Sequence, residues 1–158
     1  MERKIKKKHI DYSCGFPVVL LNVPMVKILD NWLPDINYDK LAKLVLVVLA
    51  KKRIPLTGSE IRFIRYYFEM TLREFARRLG VKHTAIVKWE AKQDQNASVT
   101  WGIEKDIRLF ILDKLCKSNK AFRDGYKELD VMQGSFEEKA KIHPLKFEVH
   151  ESELQKVG

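Results

Sequence analysis

The sequence predicts a mainly α fold: five short helices, preceded by a small N-terminal module of a β-hairpin and a helix. Three observations predict it. Met70 to Glu90 reads MTLREFARRLGVKHTAIVKWE, in which Ala76, Gly80 and Ile86 have the spacing of two helices crossing about a tight turn. Thr57-Gly58-Ser59-Glu60 is a capping box that opens a helix. Apolar residues recur at helical spacing on both sides of the pair.

The elements follow in order. Residues 1–8, MERKIKKK, read as a basic, solvated arm able to follow phosphates. Residues 9–29 hold Val18, Val19, Leu20, Leu21, Val23, Val26 and Ile28, interrupted by Gly15, Pro17, Asn22 and Pro24, which reads as two short strands and a turn. Such a hairpin is marginal alone and must pack on something or gain a third strand. Asp35 to Arg53 reads as a helix with Leu41, Leu44, Val45, Val48 and Leu49 as its stripe. Leu46 and Val47 widen the stripe, so it is expected to be covered on more than one side. Ile54-Pro55 ends it.

Thr57 then caps a helix that turns Ile61, Ile64 and Phe68 inward. Thr71 caps the next, with Phe75, Ala76 and Leu79 inward and Arg73, Arg77 and Arg78 elsewhere. Ala76 is small enough for a close crossing, and Gly80 accepts positive φ in the reversal. The second helix of the pair runs from about Lys82 or His83 to Glu90, with Val81, Ile86 and Trp89 as its buried face. Lys92 to Thr100 is turn-like. Trp101 to Cys116 carries the stripe Ile103, Ile107, Phe110, Ile111 and Leu115, which closes the helical core and is a candidate dimer interface. Ala121 to Met132 is a further helix. Leu145, Phe147 and Val149 alternate, which suits either a strand pairing with an exposed edge or a disordered tail. The expected segments are 1–54, an α+β module with its basic arm; 55–116, the helical domain; and 117–158, a charged extension available to a partner.

Composition narrows the function. With 158 residues, 46% of them apolar, there is room for one domain with appendages. The basic start is followed by polar residues, unlike a secretory signal. The longest apolar run, Leu44 to Ala50, falls far short of the ~20 residues that span a bilayer. A soluble cytoplasmic chain with no membrane association is expected. Cys14 and Cys116 are the only cysteines, so no disulfide framework is expected. A structural zinc site takes four Cys or His ligands, usually as close pairs, and Cys14 with His9 is not that. No metal and no cofactor is expected. The histidines His9, His83, His143 and His150 fall in no HExxH spacing, and no nucleophile elbow, GxGxxG or P-loop is present. The carboxylates are dispersed. The chain is expected not to be an enzyme.

The net charge is +9, and it is uneven. Residues 1–55 carry eleven Lys/Arg against five Asp/Glu, residues 56–92 eight against four, and residues 93–158 eleven against twelve. The excess lies in the first two segments, which suits a polyanionic partner held by one portion of the molecule.

Leu56 to Lys92 resembles the Xre/Cro/CI-type helix-turn-helix domain, including the Trp89-Glu90 pair that ends the second motif helix. The resemblance implies a five-helix, lambda-repressor-like fold. LTGSEIRFIR at 56–65, preceded by YSCGFPVVLLNV at 12–23, is more narrowly similar to MqsA-like antitoxins and related regulators. That likeness covers roughly residues 9–115. It departs from the family at the zinc ribbon, whose two CxxC pairs are missing here, so the N-terminal module reads as a zinc-free relative.

Placed residue by residue on the family pattern, His83, Thr84, Val87 and Lys88 face base edges. Lys88 suits guanine O6 or N7, Thr84 can donate or accept, and Val87 suits a thymine methyl. Thr71, Arg73, Lys82 and Lys92, with the backbone amides opening the Thr71 helix, face phosphates. Where the family often has glutamine just inside that helix, this chain has Leu72, and Arg73 is the residue to replace it. The resemblance implies an antitoxin that binds operator duplex DNA as a homodimer, represses its own operon and binds a toxin protein. A stand-alone Xre-type repressor and a protein-interaction adaptor that reads no DNA stand as alternatives.

Overall fold

The computed structural model describes residues 1–132, 142–150 and 153–157. Its elements are β1 (Arg3–Asp11), β2 (Val18–Ile28), β3 (Asn31–Pro34), α1 (Tyr38–Lys51), α2 (Gly58–Tyr67), α3 (Leu72–Leu79), α4 (His83–Glu90), α5 (Trp101–Leu115), α6 (Asn119–Met132), β4 (Leu145–His150) and β5 (Glu153–Lys156). They form two compact units, Met1–Val45 with His143–Gly158, and Leu46–Ile142.

The first unit is built on a five-stranded mixed sheet with the order β1-β2-β4-β5, in which β3 also pairs with β2. β2 is its centre. Antiparallel β1 runs along one edge of β2, from Arg3 opposite Val26 to Asp11 opposite Val18. The other edge is shared by antiparallel β3 at residues 25–28 and parallel β4 at residues 18–21. The apolar run of β2 fits that position: Val18, Leu20, Val23 and Met25 are buried, as are Phe147 and Val149 of β4.

The mainly α prediction is overturned here. Six helices and a five-stranded mixed sheet make an α/β fold, not a five-helix lambda-repressor-like domain with a small hairpin. β3 and β5 were not expected, and the two ends of the chain differ from the prediction in separate ways. Most of the expected basic arm, residues 1–8, lies in β1. Residues 1–8 are all exposed, so no alternation of apolar and polar residues marks the strand, and backbone pairing to β2 holds it instead. The tail takes its strand alternative, because Phe147 and Val149 are buried on pairing with β2 and β5. The rest of that expected extension, residues 133–141, 151–152 and 158, lies outside the described residues.

The second unit is helical. Both capping boxes are formed: the Thr57 hydroxyl accepts from Glu60 N–H at 3.2 Å, and the Thr71 hydroxyl from Glu74 N–H at 3.1 Å. Each carboxylate in turn accepts from its cap N–H at 2.9 Å. Leu56, Ile61, Ile64, Phe75, Ile86, Ile107, Ile111, Leu112 and Leu129 form the buried core. The α5 stripe therefore lies largely inside the chain, with Ile103 and Leu115 half-buried at its ends. Among the described residues no helix is long and apolar enough to cross a membrane.

A buried charge network fastens the linker between α1 and α2 to α5. Glu104 accepts from Arg108 Nη2 at 2.8 Å and from the Leu56 N–H at 2.9 Å. Arg108 donates to the Ile54 carbonyl at 2.9 Å and also to that of Lys52, and Lys52 pairs with Glu60. Burial pushes the Glu104 carboxyl above its ordinary range and holds the Lys52 and Arg108 cations below theirs, against the attraction of their partners. The two carboxylates and two cations compensate one another where a lone charge would be costly.

Candidate nucleic-acid interface

The candidate site is the outer face of α4, and the local sequence sets how that helix is held. α3 packs on α4 through a short reversal. Gly80 sits at φ +67°, and Val81 N–H reaches back to the Ala76 carbonyl at 3.0 Å, the long bond of a Schellman ending. Ala76, at the crossing, is buried. Lys82 precedes α4 in extended conformation, with no side-chain cap, so the opening amides of α4 have no side-chain acceptor from the cap residue.

The far end of α4 is clamped. Glu90 is buried and accepts from Arg65 through both oxygens, at 2.6 Å from Nε and 3.0 Å from Nη2. Arg65 Nη1 also donates to the Met70 carbonyl at 3.0 Å, and exposed Arg62 adds a longer contact to Glu90 at 3.4 Å. Hydrogen bonding to Glu90 raises the pKa of Arg65 further, so the fork stays charged. Backbone contact completes the clamp. A Cβ on Gly58 would lie 2.3 Å from the Trp89 carbonyl oxygen, so only glycine lets the start of α2 approach α4 this closely. Ser59 N–H bonds to the Gln93 carbonyl at 2.9 Å and Ala97 N–H to that of Leu56 at 3.0 Å.

What faces outward is a compact polar and apolar patch. Thr84, Val87 and Lys88 are exposed at helical spacing, and Val87 is 47% exposed with no core role. His83 is half-buried at the start of the helix. Of the expected buried face, Ile86 is fully buried, Val81 and Trp89 are half-buried, and Glu90 joins them. Lys82 and Lys92 are exposed beyond the two ends of α4, and Arg73 is exposed on α3.

Thr71 is less open than the sequence implied. Its hydroxyl already accepts from Glu74 N–H, and its own N–H is taken by the Glu74 carboxylate. A phosphate approaching the start of α3 meets that carboxylate as well as the amides. Leu72, in the place of the family's glutamine, is half-buried. Arg77 and Arg78 are exposed too, and Arg78 is drawn toward Asp106 at 3.4 Å and over the Phe110 ring.

Sequence reasoning missed the Arg65–Glu90 fork and the Glu104–Arg108 network. The i,i+4 spacing of Glu104 and Arg108 was visible, but such pairs ordinarily lie on solvated faces. Arg65 and Glu90 are too far apart in sequence to be matched by spacing. Among the described residues no three His, Cys, Asp or Glu side chains gather as metal ligands would. Comparison with protein-family models, curated proteins and solved structures gave no match.

Proposed function

We propose that this chain is a sequence-specific DNA-binding protein whose α3–turn–α4 pair acts as a helix-turn-helix, with α4 entering the major groove. The observation that carries the reading is the division of α4. One face is fixed by Ile86 and the Arg65–Glu90 fork, and the other offers Thr84, Val87 and Lys88 free of internal duties. A rigid helix with short donors, a methyl-bearing side chain and a cation on its open face has the chemistry of base-edge readout. Lys82, Lys92 and Arg73 flank it with charge for phosphates.

In the fuller reading, the protein is a cytoplasmic, non-enzymatic antitoxin of the Xre and MqsA-like type that represses its own operon as a two-fold dimer and binds a toxin. The resemblance of residues 12–23 and 56–65 supports that role. A stand-alone repressor needs the same DNA face and no toxin. Selection from a pool of random duplexes tests the DNA reading: the full chain is expected to enrich one sequence, arranged as two half-sites about 34 Å apart for a dimer. Enrichment of no sequence favours the adaptor alternative. Co-purification with the product of a neighbouring gene separates antitoxin from stand-alone repressor.

A further inference from the structure

β1 ends the sheet, and among the described residues nothing pairs with its outer edge. The register shows which backbone groups are left over. Lys27 N–H donates to the Glu2 carbonyl at 3.1 Å, which makes Glu2 and Lys27 a hydrogen-bonded pair. Antiparallel alternation then turns the backbone groups of Lys4 and Lys6 toward β2, and those of Arg3 and Ile5 toward the open edge. The Pro24 carbonyl agrees, since it accepts from Asp35 N–H on the side of β2 away from β1.

Proteins usually blunt such an edge by shortness, proline, a bulge or charge. β1 is nine residues long, contains no proline and pairs with β2 on both sides of one interruption, at Lys7 opposite Asn22, whose φ is +53°. Charge is the main protection of its first half. Arg3 is held by Asp35 at 2.9 Å, and Lys4 lies over the Trp32 ring at 4.1 Å. Lys6, Lys7 and Lys8 are exposed and make no ion pair among the described residues.

We propose that the open edge of β1 binds an extended acidic segment of a partner protein, which joins the sheet as an added strand. The outward backbone groups of Arg3 and Ile5 supply the pairing, and Lys6, Lys7 and Lys8 select the charge. A second copy of this chain is a poor occupant, because edge-to-edge pairing sets lysines against lysines. A nucleic acid satisfies the lysines but leaves the backbone row unused. β1 and α4 belong to different units, and the peptide test does not rely on the DNA reading.

The probe is a fluorescein-labelled eight-residue peptide of alternating Glu and Val, titrated against the full chain by anisotropy. A second version, methylated on every backbone amide nitrogen, has the same charge and no strand edge. The unmodified peptide is expected to bind at least about tenfold tighter than the methylated one. Ile5→Pro removes an outward N–H that β2 does not use, and is expected to weaken binding about tenfold where Ile5→Ala weakens it about twofold. Equal binding of the two peptides overturns the proposal, since charge alone then explains it. So does an absence of peptide binding together with weaker binding of random duplex DNA on replacing Lys6, Lys7 and Lys8 by glutamine, which makes β1 a phosphate surface.

Discussion

Lys88 and Lys92 are both exposed lysines, and their places on the helix predict different behaviour. Lys88 is one turn beyond Thr84 on the open face of α4, within reach of a base edge. Lys92 lies past the helix end, where only phosphate is in reach. Lys88→Ala is expected to cost about 1–3 kcal/mol on the selected duplex and little on unrelated DNA. Lys92→Ala is expected to weaken both by a similar factor and to lower the salt slope by about one. Fluorescence titrations on the two duplexes read both effects. Cys14 gives a residue-scale test of the sheet. Burial, aided by Asp11 and opposed by a hydrogen bond with Ser13, pushes its thiol from 9.0 up to about 11. Between those values the unfolded chain loses the proton and the folded chain keeps it. The folded state then binds more protons, so stability falls as pH rises through that window. Unfolding free energies from urea titration at pH 8 and pH 10.5 are expected to differ by about 1–2 kcal/mol more in the wild type than in Cys14→Ala.

At the scale of elements, the account rests on how α2 fixes α4. Arg65→Met leaves the Glu90 carboxylate buried without its fork and is expected to destabilise by about 3–5 kcal/mol in chemical denaturation. Arg65→Met with Glu90→Leu is expected to recover much of that loss, because no uncompensated charge remains. Gly58→Ala drives a methyl into the Trp89 carbonyl and the Gln93 amide, both backbone, so the end of α4 must move. Its expected cost is about 1–3 kcal/mol, with a larger loss on the selected duplex than on random DNA. The helices were legible in the sequence because their signals are local. Thr57 with Glu60, Thr71 with Glu74, and Gly80 mark ends that the structure forms as capping boxes and a left-handed turn. The fork was not legible, because Arg65 and Glu90 are brought together only by packing. Most of β1 was not legible for a related reason: residues 3–8 are exposed on both faces and carry no apolar period, and pairing with β2 holds them.

At the scale of the molecule, the sequence's apolar pattern located the helices but undercounted the sheet, whose fourth and fifth strands come from the far end of the chain. Leu145, Phe147 and Val149 carried the right period, yet three apolar residues in a charged tail suit a free segment equally well. Charge was the most legible whole-chain property, and it sets the expected salt dependence. Three to four phosphates held by each protomer of a dimer give a slope of log K against log salt of roughly −6. The central claim, that α4 reads sequence, is tested most directly by titrating the full chain at ~0.15 M salt on its selected duplex and on a scrambled duplex of the same composition. Binding to the selected duplex is expected to be at least about a thousandfold tighter. Equal dissociation constants on the two would contradict it and reduce the exposed face of α4 to a general polyanion surface.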